Sequence, residues 1–257
     1  MSSDIKATSV PPVGARLTWH TARLVGYRDE TATARTLQLE VADWPGHLAG
    51  QHVDVRLTAE DGYQAVRSYS LAAPAAANHV ELMVQRVAGG EVSPYLTEVF
   101  SVGDAIEVRG PAGGWFVWRP SDAEPVLLIA GGAGIVPLMA MVRARRAAAS
   151  RVPFRLIYSL RSSEEFCYAD ELRVPQPGDG GLDTTLVFTR KPPEGFSRPP
   201  QRLGIADVNT GGWPPEFEPS CFVCGPTGFV EAAADILVAL GHDARRIKTE
   251  RFGPTGG

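Results

Sequence analysis

The hydrophobic pattern of this chain changes near position 120, and that change constrains the fold more than any other feature. Upstream of it, apolar and polar residues alternate, for example over 36–41 and 52–57, which is typical of antiparallel strands with one buried face. Downstream, the run 126–130 is continuously apolar and leads through glycines into an alanine-rich helical pattern. Such a run indicates a strand covered on both faces. We therefore predict two domains of different class.

In the first domain, short strands separated by turn residues favour a closed barrel or a sandwich. In the second, strands alternate with helices predicted at 136–149 and 228–240, which indicates a doubly wound parallel sheet. The stretch 191–219, rich in proline and glycine, is predicted to be irregular. The predicted units are a flexible tail at 1–15, an antiparallel β-barrel at 16–120 and an α/β domain at 121–257.

Composition narrows the class of partner. The chain has 257 residues, a net charge of −4 and no long apolar run, which argues against nucleic-acid and membrane partners. Three cysteines fit a reducing cytoplasm and are too few for a four-thiolate iron–sulfur cluster. The pair Cys221 and Cys224 has C-x-x-C spacing, but a strand would turn the two side chains to opposite faces, so no metal site is predicted. A cytoplasmic monomer is the expectation.

Four consecutive residues of the first domain, Arg67, Ser68, Tyr69 and Ser70, combine a cation, an aromatic ring and two hydroxyls. A guanidinium can grip a pyrophosphate with two hydrogen bonds, and a phenol ring can pack on a flat ring system. The same residues also fit an ordinary strand with an exposed arginine and a half-buried tyrosine.

A second candidate phosphate site follows the next strand, at Gly89-Gly90-Glu91-Val92-Ser93. Ser93 is a natural N-cap and Pro94 suits the first helical position. The N–H groups of Val92 and Ser93 would then face a phosphate.

The second domain opens with strand, glycines and helix in the order of a dinucleotide-binding fingerprint. Gly132 and Gly134 match G-x-G, although Pro137 stands where the third glycine would be. A purely structural turn is the alternative. A later strand ends at Cys224-Gly225-Pro226, and ligands of open α/β sheets bind at such strand ends. We expect a positioning role for Cys224, because a buried cysteine is usually a small apolar residue.

Together these motifs resemble the ferredoxin–NADP⁺ reductase superfamily, most closely the bacterial flavoprotein reductases that serve oxygenases and cytochrome P450 systems. The resemblance covers the chain from about residue 15 to residue 253. The motifs, in the order of the family, are 67–70, 89–93, 110–113, 131–135, 168–172, 224–226 and 250–252.

The resemblance implies a flavin barrel followed by a nicotinamide nucleotide domain. Its implied catalytic residues are Tyr69, packed on the isoalloxazine, Ser70, near its N5, Cys224, near the nicotinamide, and Glu250, close to the active site. Pyrophosphate binding by Val92 and Ser93 favours FAD over FMN. The implied cofactor-binding residues are Arg67, Ser68, Tyr69, Ser70, Val84, Arg86, Gly90, Glu91, Val92, Ser93, Gly132, Ala133, Gly134, Ile135, Ser159, Arg161, Arg190, Cys224, Gly225, Pro226 and Phe252.

Charge after the second parallel strand bears on the choice of nicotinamide cofactor. NAD-specific folds tend to place a carboxylate there. This chain has Ser159 and Arg161, with Arg190 after the next strand, although Glu164 and Glu165 follow closely. NADPH is therefore favoured, with NADH as the alternative. Relatives often carry Thr or Ser where this chain has Ala133, and Thr where it has Val136.

The resemblance implies hydride transfer from nicotinamide C4 to flavin N5, followed by single-electron transfer to a separate ferredoxin or oxygenase/P450 component. Four arginines are expected to form either part of an acidic carrier's docking face or a solvated helix end: Arg143, Arg145, Arg146 and Arg151. Two other functions remain open. One is a ferric-chelate or flavin reductase with no protein partner, and the other is a non-catalytic flavin-binding subunit or sensor.

Overall fold

The computed structural model describes residues 17–173 and 182–252. The predicted tail, 1–15, lies outside the described residues.

The first half of the chain forms a six-stranded antiparallel sheet in the order β4-β3-β6-β1-β2-β5. An isolated bridge joins Leu71, the residue after β4, to Leu82 in the middle of β5, so the two outermost strands meet and the sheet curls into a barrel. This confirms the predicted antiparallel β-barrel. The strands are β1 (Trp19–Thr31), β2 (Ala34–Val41), β3 (His52–Thr58), β4 (Gln64–Ser70), β5 (His79–Gln85) and β6 (Ala105–Ala112).

The alternating sequence pattern produces the barrel core. In β2, Leu37, Leu39 and Val41 are fully buried while Gln38 and Glu40 are exposed. Burial of each large apolar side chain contributes about 1.5–3 kcal/mol relative to exposure. The strand register is therefore well determined, since a slip of one residue would expose the whole apolar set.

A short helical segment connects β5 to β6, and it begins differently from the prediction. Helix α1 (Val92–Pro94) continues into a π-helical turn (Tyr95–Val99). Ser93 was predicted to cap this helix, but it lies within it, and its Oγ accepts a hydrogen bond from the Val87 N–H at 3.0 Å. The tight turn at Gly89 and Gly90 brings that N–H to the serine, so the hydroxyl closes the turn instead of capping.

The second half forms a five-stranded, wholly parallel sheet in the order β11-β10-β7-β8-β9, which confirms the predicted doubly wound class. The strand order reverses between β7 and β10, and ligands of such sheets bind at the carboxyl ends of strands at this point. The elements are β7 (Val126–Gly131), α2 (Ile135–Ala147), β8 (Phe154–Ser162), α3 (Ala169–Arg173), β9 (Leu182–Lys191), α4 (Ile205–Gly211), β10 (Ser220–Pro226), α5 (Thr227–Ala239) and β11 (Ile247–Phe252).

Strand β7 is buried along its whole length because helices cover both faces of the sheet. Leu128 and Ala130 pack with α2 on one side, whereas Leu127 and Ile129 pack with α5 on the other. The continuous apolar run in the sequence thus serves two separate cores.

The segment predicted to be irregular, 191–219, contains helix α4. The carboxylate of Asp207 accepts hydrogen bonds from the Gly204 N–H at 2.8 Å and from Arg198 Nη2 at 2.6 Å. Asp207 thus provides the acceptor for a backbone N–H at the beginning of α4. The helix has only about two turns, which is too short for its sequence to show a clear hydrophobic period.

The arginines of α2 do not form the predicted docking face. Arg143 donates to the backbone oxygen of Ala72 at 2.9 Å and to the carboxylates of Glu81 and Glu171. Arg145 is 2% exposed and donates to Val152 O at 2.6 Å. Within this set, Arg146 is half-buried and only Arg151 is exposed. The alternative prediction, a solvated helix end, is also wrong for Arg143 and Arg145, because both side chains donate hydrogen bonds within the protein. The other two arginines of the set lie nearer the surface. Arg146 Nη1 lies 3.6 Å from Glu171 Oε2, and Arg151 is exposed.

Candidate active site

A cleft of about 470 Å³ lies where the barrel meets the parallel sheet. Its walls come from β3, β4, β5, the turn before α1, the beginning of α2 and the end of β11. The lining residues are His52, Arg67, Ser68, Tyr69, Ser70, Met83, Gln85, Val87, Gly90, Glu91, Val92, Ser93, Ala133, Val136, Glu250, Arg251 and Phe252.

Strand β4 contributes four consecutive lining residues because it is the outermost strand of the barrel sheet. Tyr69 packs against the barrel core, and burial raises the pKa of its phenol to about 12, so the ring is neutral. Ser68 donates to Asp54 at 2.7 Å. Asp54 also accepts from Arg109. The aromatic ring therefore lies on a wall whose backbone is fixed by side-chain bonds on the neighbouring strands.

Arg67 is held at the cleft by an ion pair. Its Nη2 lies 3.1 Å from Glu91 Oε2, and the other oxygen of Glu91 accepts from the Tyr63 hydroxyl at 2.9 Å. Both charged side chains are partly exposed. An anionic ligand reaching Arg67 would therefore compete with Glu91.

The two domains contact each other at the base of the cleft through Ser70 and Glu250. The Ser70 hydroxyl donates to Glu250 Oε1 at 3.3 Å. Burial raises the pKa of Glu250 to about 7, while the hydrogen bond from Ser70 acts in the opposite direction. Its carboxyl group can therefore bind or release a proton near neutral pH.

Cys224 lies beside Glu250 in the register of β10 and β11. Its side chain is fully buried, and burial, followed by the charge of Glu250, raises the pKa of the thiol well above its usual value. The sulfur is thus a neutral, compact group rather than a nucleophilic thiolate. This agrees with a positioning role.

The glycine loop between β7 and α2 is shaped by close backbone contacts. A Cβ atom on Gly134 would lie 2.1 Å from the backbone oxygen of Cys224, and one on Gly131 would lie 2.6 Å from the Phe229 ring. Gly132 has a φ of +53° with open space beside it. Gly134 therefore allows β10 to approach, whereas Gly132 supplies a left-handed turn.

The structure brings most of the predicted site residues together. Those of 67–70 and 90–93, with Ala133, Glu250 and Phe252, line the cleft. The remaining loop residues lie beside it at the carboxyl ends of β7 and β10: Gly132, Gly134, Ile135, Cys224, Gly225 and Pro226.

Two of the site residues predicted in the barrel lie elsewhere. The side chain of Val84 is buried in the barrel core, and its neighbours Met83 and Gln85 line the cleft instead. Arg86 pairs with Glu98 and lines a separate, polar cleft on the barrel.

Six lining residues were not predicted: His52, Met83, Gln85, Val87, Val136 and Arg251. His52 is brought to the cleft by its pairing with Ser70 across β3 and β4. A single sequence does not show that pairing, so His52 could not be predicted as a lining residue.

Ser159, Arg161 and Arg190 do not line this cleft. They lie toward the carboxyl ends of the neighbouring strands β8 and β9, where both arginines are exposed and Ser159 is buried. The adjacent Lys191 is paired with Glu164 at 2.6 Å. These residues lie at the same edge of the sheet as the glycine loop.

Within 17–173 and 182–252, no group of three or more potential ligands is arranged to hold a metal ion. Among the helices of these residues, none has the length and apolarity needed to cross a membrane.

Comparisons with known proteins agree with this architecture. The oxidoreductase FAD-binding domain family matches residues 29–117, and the oxidoreductase NAD-binding domain family matches residues 128–235. A flavohemoprotein of Deinococcus radiodurans is 32% identical over 224 residues, covering 82% of this chain and 53% of that protein. A ferredoxin–NAD(P)⁺ reductase component of naphthalene 1,2-dioxygenase/salicylate 5-hydroxylase systems from a Ralstonia species is 26% identical over 257 residues, covering 95% and 74%.

Among solved structures, the FAD/NAD-binding domain of a nitric oxide dioxygenase from Vibrio cholerae aligns with a TM-score of 0.74 and 25% identity, covering 91% of this chain and 99% of that one. A cytochrome P450 reductase from Amycolatopsis aligns with a TM-score of 0.79 and 26% identity, covering 93% and 71%. The chain spans about half to three quarters of the length of the curated relatives it matches.

A barrel and a parallel sheet that match FAD-binding and NAD-binding families define a two-domain flavoprotein oxidoreductase. The chain belongs to the ferredoxin–NADP⁺ reductase superfamily. The residues of the cleft fit the flavin: a neutral phenol and apolar side chains suit a flat ring, and Arg67 with the backbone N–H groups at the beginning of α1 suits phosphates.

Proposed function

We propose that this protein takes a hydride from NADPH onto bound FAD and passes the electrons singly to a separate carrier protein, a ferredoxin or an oxygenase/P450 component. The observation that carries the proposal is the contact between Ser70 of the flavin strand and Glu250 beside Cys224, which joins the two domains at the cleft. Bound FAD supplies the capacity to accept an electron pair and release it one electron at a time. The proposed division places the flavin domain before about residue 120 and the nucleotide domain after it, in a cytoplasmic monomer.

In this proposal, Arg67 and the N–H groups of Val92 and Ser93 bind the flavin phosphates, Tyr69 packs on the ring and Ser70 hydrogen-bonds near its reactive edge. Gly132 and Gly134 allow the backbone to approach the nicotinamide nucleotide. Cys224 fills the space beneath the reacting carbon with a small neutral group. Glu250 accepts the hydrogen bond of the Ser70 hydroxyl at Oε1, and its raised pKa lets the carboxyl group exchange a proton near pH 7.

The ion pair in the cleft leads to two opposite expectations for FAD affinity. Arg67→Ala is expected to weaken FAD binding about 10- to 100-fold, because charge-assisted hydrogen bonds to phosphate are lost. Glu91→Gln is expected to strengthen it about threefold, since the guanidinium is released and a negative charge beside the phosphates is removed. Titration of the apoprotein with FAD, followed by flavin fluorescence, measures both. Weakening by Glu91→Gln would show instead that the carboxylate itself contacts the cofactor.

The preference for NADPH is assigned to the exposed arginines at the ends of β8 and β9. Arg161→Ala is expected to lower kcat/KM for NADPH about tenfold or more while changing the value for NADH less than about twofold, because a 2′-phosphate contact is lost. Lys191→Ala is the matched control, since this nearby cation is already paired with Glu164. An unchanged ratio of NADPH to NADH activity in Arg161→Ala would contradict the assignment.

The separate acceptor is supported by the relatives. Those similar to this chain include the reductase components of a naphthalene dioxygenase/salicylate hydroxylase system and of a propane 2-monooxygenase. Such components are named as parts of larger systems, which is consistent with a carrier that receives electrons from a reductase.

The proposal is tested by anaerobic addition of NADPH, and separately NADH, to the purified FAD-loaded protein. Bleaching of the flavin absorbance, faster with NADPH, is the expected result. The reduced protein is then offered a ferredoxin, a ferric chelate or free flavin. Faster reoxidation by the ferredoxin supports the proposal, whereas faster reoxidation by the chelate or free flavin favours a reductase without a protein partner. A flavin that neither cofactor bleaches favours a non-catalytic flavin-binding subunit.

A further inference from the structure

Arg143 connects the two domains at a second place, apart from the contact between Ser70 and Glu250. It lies in α2, and its Nη1 donates to the backbone oxygen of Ala72 at 2.9 Å and to the carboxylate of Glu81. Both acceptors belong to the barrel. Ala72 follows Ser70, the last residue of the flavin strand, by two positions, and its own N–H donates to Glu81 O at 2.8 Å.

The other side of the same guanidinium binds the nucleotide domain. Its Nε donates to Glu171 Oε2 at 3.0 Å, and its Nη2 contacts the second oxygen of that carboxylate. Glu171 lies in α3, within the sequence motif 168–172, whose residues do not line the cleft. The guanidinium also lies 4.8 Å from the centre of the Tyr168 ring. The Tyr168 N–H donates to Glu30 of β1 at 3.2 Å.

The burial of this cluster makes its geometry specific. The Arg143 side chain is 14% exposed, and those of Glu81 and Glu171 are 18% and 28% exposed. A planar guanidinium that satisfies three acceptors at once tolerates few arrangements of the two domains. Loss of this cation is unfavourable for the two carboxylates, because both are half-buried.

The position of Arg143 along α2 connects the cluster to the cleft. Arg143 lies eight positions after Ile135, the residue at which the helix begins directly after the glycine loop. At 1.5 Å per residue this is about 12 Å of straight helix. Arg143 therefore connects helix α2, which begins directly after the glycine loop, to the segment that directly follows Ser70.

From these contacts we infer that Arg143 is a positioning residue, which sets the distance and angle between the nucleotide loop and the flavin strand through Ala72, Glu81 and Glu171. This inference rests on the proposed hydride transfer between the two domains. Misplacement of reacting groups by about 1 Å can cost about 100-fold in rate, so the alignment has kinetic consequences that are separate from stability.

The experiment separates alignment from stability with three variants of the FAD-loaded protein. Arg143→Met removes the guanidinium from both carboxylates, although Glu171 keeps its 3.6 Å contact with Arg146. The triple variant R143M/E81L/E171L replaces the whole cluster by apolar groups of similar size, which is often neutral or stabilising. Arg151→Ala, an exposed arginine just after the same helix, is the control. Thermal midpoint, FAD affinity, NADP⁺ affinity, the rate of flavin reduction at saturating NADPH and amide hydrogen exchange over 71–73 are measured for each.

Arg143→Met is expected to lower the thermal midpoint and to slow flavin reduction about tenfold or more. The triple variant is expected to recover the midpoint but not the rate, with FAD and NADP⁺ affinities within about threefold of the parent and amide exchange at Ala72 about tenfold faster. Arg151→Ala is expected to match the parent throughout.

Recovery of the rate together with the midpoint in the triple variant, or unchanged exchange at Ala72, would overturn the inference. A parent protein that neither NADPH nor NADH reduces would instead refute the proposed function. The exchange measurement still decides in that case whether Arg143 holds the two segments together.

Discussion

Replacing Gly134 by alanine is expected to slow flavin reduction by NADPH about 100-fold or more while leaving FAD bound. The added Cβ would lie 2.1 Å from Cys224 O, 2.5 Å from Cys224 C and 2.7 Å from Gly225 N. All three atoms are backbone, so no side-chain rotation relieves the overlap. Either the glycine loop or the end of β10 must move, and both belong to the proposed nicotinamide site.

Backbone conformation does not contribute to this effect, because Gly134 has a φ of −62°, which alanine adopts readily. The matched control is Gly114→Ala, where an added Cβ meets nothing within 4 Å. Stopped-flow reduction by NADPH and the flavin content of the purified variants are measured. A Gly134→Ala variant that is reduced at the parental rate would show that the approach of β10 to the loop is not needed for the reaction.

The second large effect is expected in the pH dependence of stability, and it depends on Glu250. Its folded-state pKa of about 7 lies above the ordinary value of 4.5, so folding favours the protonated carboxyl group. Its contribution to stability is fully present below about pH 4.5 and is lost as pH rises through 7. Over that window the loss amounts to at most about 3 kcal/mol.

Glu250→Gln removes this titration and keeps a group that can accept the Ser70 hydrogen bond. The variant is expected to match the parent near pH 4.5 and to exceed it by about 2–3 kcal/mol in free energy of unfolding at pH 9. Urea unfolding of the FAD-loaded proteins at the two pH values measures the difference. Glu231→Gln, which changes an exposed carboxyl group of α5, is the control. A constant difference between Glu250→Gln and the parent across this range would show that Glu250 is not buried as described.

Features encoded in neighbouring residues were predictable from the sequence. The fold class followed from the two hydrophobic periods, and the glycine loop followed from strand, glycines and helix in order. The residues of 67–70 were a candidate ligand site because they combine a cation, a ring and hydroxyls, but the same residues also fitted an ordinary strand, and it is the structure that shows them lining a cleft. Each of these signals spans fewer than about ten residues, the range over which periodicity and turn chemistry act.

Features that depend on distant residues were not predictable. The burial of Arg143 requires Glu81 and Glu171, and nothing near the arginine in the chain distinguishes it from Arg151 at the surface. Val84 illustrates a different difficulty. It alternates with Leu82 into the barrel core, but Met83 between them is also apolar because it packs against the other domain, so composition alone does not say which face meets the cleft.

The contact between Ser70 and Glu250 also has a consequence for how the protein is made. The six barrel strands end at Ala112, so the flavin domain can fold on the ribosome while most of the second domain is still untranslated. Glu250 emerges 180 residues after Ser70. During that interval the barrel side of the cleft lacks the carboxyl group that Ser70 contacts, so this contact between the domains is expected to form only after β11 is added at the edge of the sheet.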